Sequence, residues 1–293
     1  MRFGVVILPE HRWSVSVARW RQAEEYGFDH GWTYDHIRWR GLAGGPWLGA
    51  IPTLTAAATA TSRLRLGTLV ANPRLRDPVA FAKDIMTIDD ISGGRVICGI
   101  GSGGPDRDAL RLTDLSAAQW ATRFTEYVEL TDLLLRQEPA SYDGDYYRCD
   151  DLVLRPGCVQ LPRVPIAVAG AGPRAMRLAA RLADTWVSYG TPFDFEPKPY
   201  RRTVSAIRDQ LDALEAACER VGRDPATIDR LVLTGAPIGG VLDSAESFRD
   251  AAGVFAEIGV TDLVVHWPRP TPPYQGRPEV LDEIAGVLTA AEG

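Results

Sequence analysis

The stretch Leu64-Arg65-Leu66-Gly67-Thr68-Leu69-Val70-Ala71-Asn72-Pro73, with the segment that follows it to Gly101, decides how this chain is read. Residues 64–70 read as a strand, residues 78–91 as an amphipathic helix entered through Pro78, and residues 95–101 as a second strand. Strand, helix and strand in that order make a parallel βαβ unit whose helix covers the sheet. The same alternation continues outward on both sides. Strand-like runs occupy residues 2–8, 29–34, 165–169, 185–188, 231–235 and 262–266. Helical stretches occupy residues 15–26, 52–61, 117–136, 173–182, 200–221, 245–258 and 279–291. Together these make eight strands and eight helices, which predicts one α/β domain over residues 1–293, a closed (β/α)8 barrel. Pro52 and Pro78 stand where a first helical turn tolerates a missing N–H. Gly27, Gly222 and Gly259 stand just past helix ends, where a left-handed cap is wanted. Residues 103–151 and 189–230 are too long for simple crossovers and are expected to carry insertions at the C-terminal mouth of the barrel. The proline-rich residues 267–278 read equally well as a lid, an oligomer contact or an extended surface connection.

The bulk composition narrows the function classes. With 45% hydrophobic and 24% charged residues the chain is an ordinary globular protein. No segment approaches the run of roughly 20 apolar residues that a membrane span needs. The N-terminal residues 1–9 read as a first strand rather than a signal peptide, so a cytoplasmic protein is expected. Cys98, Cys149, Cys158 and Cys218 are scattered without metal or redox spacing, which supports neither a metal site nor a disulfide framework. A net charge of −6 without a basic stripe argues against a nucleic-acid partner. A small-molecule substrate is the remaining class. Lys83 and Lys198 are the only lysines beside many arginines, the composition of a high-GC genome.

In such barrels chemistry sits at the C-terminal strand ends. The residues following the strands are Asp35-His36, Ala71-Asn72, Gly101-Ser102-Gly103-Gly104, Gly170-Ala171-Gly172-Pro173, Tyr189 and His266-Trp267. His36 is the first acid/base candidate, because imidazole exchanges a proton near neutrality. Asp35 would orient it or help to form the strand end. His11 and His266 are further candidates, and His30 lies at the wrong end of the barrel. Asp106 and Arg107 read as a solvated loop. Gly170-Ala171-Gly172 opens a helix, where free N–H groups and the helix dipole favour a phosphate, although a tight turn alone would use the same glycines. Trp39, Trp47 and Trp267, in loops, are candidates for an aromatic wall around a planar ligand. Trp32 and Trp186, inside strands, belong to the core.

The runs Leu66-Gly67-Thr68-Leu69-Val70-Ala71-Asn72-Pro73, Asp77-Pro78-Val79-Ala80-Phe81-Ala82-Lys83, Ser92-Gly93-Gly94-Arg95-Val96 and Gly99-Ile100-Gly101-Ser102-Gly103, with Asp35-His36, resemble the bacterial luciferase-like monooxygenase superfamily. The resemblance covers residues 1–190 well and the remainder loosely. It implies a TIM barrel with insertions at the mouth, and the deazaflavin F420 or FMN as cofactor. It also implies a non-proline cis peptide at Leu69-Val70, bulging behind the cofactor ring. By the same resemblance Asp35 and His36 would lie beside the ring, and Leu69, Val70 and Asn72 behind it. Ser102 and Gly103 would lie near its polar edge or side chain, and Gly170, Ala171 and Gly172 at the phosphate. Downstream of Tyr189 the substrate-phosphate residues of the sugar-phosphate dehydrogenase branch are not recognisable. The expected function is hydride transfer between F420 and a small organic substrate, such as reduction of a C=C or C=N bond of a secondary metabolite. The high-GC composition favours F420, a cofactor of actinobacteria. The alternatives are an FMN-dependent monooxygenase served by a reductase partner, and a non-catalytic flavin-binding protein. Family analogy implies a homodimer.

Overall fold

The computed structural model describes residues 1–39, 42, 44–103, 115–190, 198–235 and 238–290. Gly104, Asp106 and Arg107 lie outside the described residues. The barrel strands are β1 (Arg2–Val6), β2 (His30–Thr33), β3 (Arg65–Thr68), β4 (Val96–Gly101), β7 (Ile166–Ala169), β8 (Thr185–Ser188), β10 (Asp229–Leu233) and β12 (Asp262–His266). They close in the order β1-β12-β10-β8-β7-β4-β3-β2, every pairing parallel. Among the described residues eight α-helices accompany them: α1 (Trp13–Glu25), α2 (Ala50–Ala60), α3 (Pro78–Ser92), α4 (Ala117–Arg136), α5 (Pro173–Leu182), α6 (Tyr200–Arg220), α7 (Ala245–Glu257) and α8 (Val280–Ala290). The expected (β/α)8 barrel is therefore the observed one. Local chemistry explains its punctuation. Asp77 caps α3 by accepting from the Val79 N–H at 2.8 Å, and Pro78 supplies the first turn. Ser116 and Gln119 form a reciprocal capping box on α4.

The two insertions differ. After α4 the chain forms an antiparallel hairpin, β5 (Ala140–Asp143) with β6 (Arg148–Leu152). It lies along the flank of α4 rather than at the mouth. The Glu126 carboxylate on α4 accepts from the N–H groups of Asp145 and Tyr146, and Glu129 accepts from the Tyr142 hydroxyl at 3.0 Å. Those carboxylates draw the hairpin onto the helix. The second insertion does reach the mouth, where β9 (Lys198–Pro199) pairs with β11 (Ile238–Gly239) beyond the end of β10.

The interior is packed in two layers. One lies between strands and helices around Trp20, Phe81, Trp186, Phe248 and Phe255. The other fills the barrel with Val6, Trp32, Ile97, Val187, Leu231 and Val264. Trp32 finds room because Gly67 faces it, where an ideal Cβ would stand 2.3 Å from the indole. At Gly99 a Cβ would stand 1.9 Å from the Thr68 carbonyl oxygen, so β3 and β4 approach only over glycine. Below this layer a polar floor closes the barrel. The Trp32 indole N–H donates to His30 Nδ1 at 2.6 Å, so His30 carries its proton on Nε2 and donates to Asp262 at 3.0 Å. Arg2 adds two hydrogen bonds to Asp262 at 2.7 and 2.8 Å. Burial opposes the Asp262 charge, but these partners outweigh it and hold the carboxyl well below its usual range. His30 is thus a satisfied structural histidine, at the end of the barrel where chemistry was not expected.

Candidate active site

The mouth has two halves. The first is built from the ends of β2, β3, β4 and β7. Asp35 is buried, and both carboxylate oxygens are taken by Arg76, at 2.5 and 2.8 Å. Its Oδ2 also accepts the Asn72 N–H at 2.9 Å. Of the two roles expected for Asp35, the structure shows the strand end: the carboxylate ties the turn after β2 to the turn after β3. His36 is half-buried, its ring 4.6 Å from that of Trp39 and 6.0 Å, edge to face, from Tyr34. The peptide Leu69-Val70 is cis. Leu69 is buried in the barrel interior, and Val70 packs against Gly101, where an ideal Cβ would fall 2.4 Å from Val70 Cγ2. Asn72 is buried, and its Oδ1 accepts the Arg74 N–H at 3.0 Å. Gly103, at φ +78°, crosses this oxygen so closely that a Cβ would lie 2.4 Å away. The Ser102 carbonyl accepts from the Trp120 indole at 2.7 Å, and the Arg74 guanidinium lies 3.5 Å above the Trp120 ring. Residues 69–72 and 101–103 are thus one packed unit.

The turn Gly170-Ala171-Gly172 stands on the same half, fixed by the Trp186 indole N–H donating to the Gly170 carbonyl at 2.8 Å. Ala171 and Gly172 are exposed, and no heavy atom lies within 4 Å of an ideal Cβ on Gly172. Gly172 caps α5 without a side chain and Pro173 has no N–H, so among the described residues the N–H groups of Arg174 and Ala175 in the first turn have no side-chain acceptor. Bare backbone donors at a helix N-terminus suit a phosphate, and a phosphate-bearing cofactor fits this half.

The second half is a cavity of about 990 Å³ at the ends of β10 and β12. Its wall includes Trp39, Thr234, Val241, Leu242, His266 and Tyr274. His266 is buried, and its Nε2 pairs with the Tyr34 hydroxyl at 2.8 Å. Tyr274 stacks flat on the imidazole, centroids 3.5 Å apart at 6°, with its hydroxyl 3.3 Å from that of Tyr34. Burial drives the His266 pKa down to about 3, against a weaker opposing pull from the Thr234 backbone, so the ring is neutral. Among the described residues its Nδ1 has no hydrogen-bond partner, and a Cβ on Gly235 would stand 2.4 Å from it. The proline-rich residues 268–277 form the outer wall. Arg269 holds them: its Nε reaches both Glu10 oxygens at 2.8 and 2.9 Å, and its Nη1 reaches the carbonyls of Thr271 and Pro273.

The structure sorts the sequence candidates. His36 and Trp39 meet at the boundary between the halves, and His266 lines the cavity. Trp47 and Tyr189 are half-buried against the interior layer. Trp267 is not part of the wall: it is buried on the outer side, stacked 6.3 Å from Tyr26 with Arg19 at 5.9 Å, because residue 267 turns away from the barrel axis once β12 ends. His11 stands 3.9 Å from Glu10 and does not line the cavity. Trp32 and Trp186 are core residues as expected. Arg76 and Tyr274 escape a reading of the sequence. Tyr34 had a signal, its position next to Asp35-His36 at a strand end. Tyr274 had none, since it meets Tyr34 across 240 residues.

The sequence profile of the family described as luciferase-like monooxygenase matches residues 1–253. The chain is 30% identical over 285 residues, 92% of each chain, to an uncharacterized protein of Mycobacterium tuberculosis. It is 34% identical over 218 residues to the F420-dependent glucose-6-phosphate dehydrogenase of Kineococcus radiotolerans, covering 72% of this chain and 60% of that one. Its fold matches the solved structure of an F420-dependent secondary alcohol dehydrogenase in complex with an F420-acetone adduct, with TM-score 0.80 at 18% identity, over 99% of this chain and 98% of that one.

Proposed function

This chain belongs to the luciferase-like monooxygenase family and is an oxidoreductase of it, and from that premise we propose that it transfers a hydride between F420 and a small organic substrate. The observation that carries the reading is the division of the mouth. One half offers packed backbone and an uncapped helix N-terminus, and the other an aromatic cavity, with His36 and Trp39 where they meet. F420, the cofactor in the names of the two functionally described relatives, supplies and accepts the hydride when bound. Leu69, Val70 and Asn72 back its ring, Ser102 and Gly103 hold its polar side, and the N–H groups around Gly170, Ala171 and Gly172 take its phosphate. Asp35, through Arg76 and Asn72, positions these turns. His36 holds or delivers the proton that accompanies the hydride at the substrate, while Trp39 and the cavity wall exclude water.

Titration of the purified protein with F420, and separately with FMN, tests the cofactor. Micromolar F420 binding with much weaker FMN binding is expected, and the reverse would overturn the reading in favour of oxygenation with reduced FMN. His36→Ala is expected to lower turnover about 100-fold or more while leaving F420 affinity within about threefold. Unchanged turnover would remove His36 from the chemistry.

A further inference from the structure

A mouth made of two halves has two seams. One lies at β2, where Tyr34, His36 and Trp39 meet. In the closed order β1-β12-β10-β8-β7-β4-β3-β2 the strand opposite β2 is β8, which stands between β7 of one half and β10 of the other. Its mouth residue is Tyr189. Side chains alternate along the strand: Val187 fills the barrel interior and Ser188 meets α6, so Tyr189 turns back into the mouth. There it is half-buried against the interior layer. Burial first, and then the phenols of Tyr274 and Tyr189, hold the pKa of the Tyr34 phenol well above its ordinary value. Tyr189 therefore acts on the opposite strand across the mouth.

The backbone on both sides of Tyr189 is tied into a ring by one side chain of an outer helix. Ser188 Oγ donates to Gln210 Oε1 at 2.5 Å, Gln210 Nε2 donates to the Gly190 carbonyl at 2.8 Å, and the Gly190 N–H donates back to Ser188 Oγ at 3.1 Å. Each of the three residues donates once and accepts once, so the bonds polarise one another in the same sense. Gly190 closes the ring at φ +85°, in the left-handed region that favours glycine. Ser188 and Gly190 are buried, and Gln210 on α6 is half-buried. A glutamine held at both ends of its amide gives up its rotamer freedom, which a mere connection from β8 to α6 does not require. Two residues before Ser188, the Trp186 indole holds the Gly170 carbonyl at 2.8 Å, so β8 fixes the proposed phosphate turn and Tyr189 together.

We propose that Tyr189 is the far wall of the reaction space, facing the cofactor ring from β8, and that Gln210, from outside the pocket, is the residue that positions it. A ring bounded at both seams cannot slide toward either half. The proposal rests on the F420 reading for the identity of that ring, and not for the positioning of Tyr189.

A meta-fluorotyrosine placed at position 189 alone reports the wall by fluorine NMR. In the protein without cofactor one narrow resonance is expected. Gln210→Leu and Ser188→Ala, which open the hydrogen-bonded ring at two different points, are expected to broaden or split it. Saturating F420 is expected to shift the wild-type resonance. F420 affinity is then measured for Tyr189→Leu, Gln210→Leu and the double variant. Losses of about tenfold and about fivefold are expected for the single variants, with the double variant no weaker than Tyr189→Leu, because a residue that acts through another adds nothing once the other is gone. Independent structural losses would multiply instead, to about fiftyfold. Multiplied losses, an unchanged resonance in both Gln210→Leu and Ser188→Ala, or a resonance indifferent to bound F420 would overturn the proposal. A wild type that binds FMN and not F420 would overturn the F420 reading alone, and the same cycle is then read with FMN.

Discussion

Each half of the mouth holds a buried arginine–carboxylate pair, and the two pairs show how differently the halves are made. In the half proposed for the cofactor Arg76 meets Asp35 across 41 residues, between the turns of neighbouring strands. In the cavity half Arg269 meets Glu10 across 259 residues, and the contact exists only because β12 closes the barrel against β1. The first half is backbone arranged by local set pieces: a cis peptide, close-packed glycines and an uncapped helix. The second is side chains brought together from the two ends of the chain.

Removing each pair is the strongest way to break the comparison. Asp35→Ala leaves Arg76 without its partner and the Asn72 N–H without its acceptor, and is expected to cost about 3–5 kcal/mol of stability. F420 affinity should fall with it. Arg269→Ala is expected to cost stability of the same order but to leave F420 affinity within about threefold, because the loss lies in the cavity wall. Denaturant melts paired with cofactor titrations check both variants. Equal losses of F420 affinity would mean that the halves are not separate.

Acid sharpens the contrast by acting on the cavity half through His266. Its folded pKa of about 3 lies below the unfolded value of about 6.5, so between these limits the unfolded chain binds the extra proton. That part of the stability is whole above pH 6.5 and is lost as pH falls, about 1.4 kcal/mol of it by pH 5.5. His266→Gln should flatten this segment of the stability–pH curve. An unaltered slope would show that the ring takes up its proton in place.

The smallest expected effect is on the cofactor half. Gly172→Asp places a carboxylate at the N-cap of α5, which strengthens the helix by about 0.5–1 kcal/mol. The same charge competes with a phosphate, so F420 affinity should fall about tenfold while thermal stability rises. A rise in stability with unchanged affinity would move the phosphate elsewhere.

The physical distinction between the halves is also the limit of what could be read from residue order. Periodicity and helix punctuation specified the barrel, because the βαβ alternation, Pro78 and the cap glycines Gly27, Gly222 and Gly259 act within a few positions of themselves. In the half proposed for the cofactor, Leu69-Val70 and Gly101–Gly103 were marked by the family resemblance and Gly170–Gly172 by its glycines at a helix start, and all three act through their own backbone. Even there, Asp35 beside His36 suggested an orienting pair as readily as a strand-end tie, and only the turn after β3 supplied Arg76 to decide it. Loops or extra helices were expected at the mouth from residues 103–151, of which residues 104–114 lie outside the described ones, and the hairpin of β5 and β6 in that stretch is held on α4 by Glu126 and Glu129. Trp267 and Tyr274 lie seven residues apart in one proline-rich segment, and tertiary packing sends the first outward onto Tyr26 and the second inward onto His266. A side chain's direction in a loop depends on which distant surface receives it, and that surface does not exist until the two ends of the chain meet in the sheet.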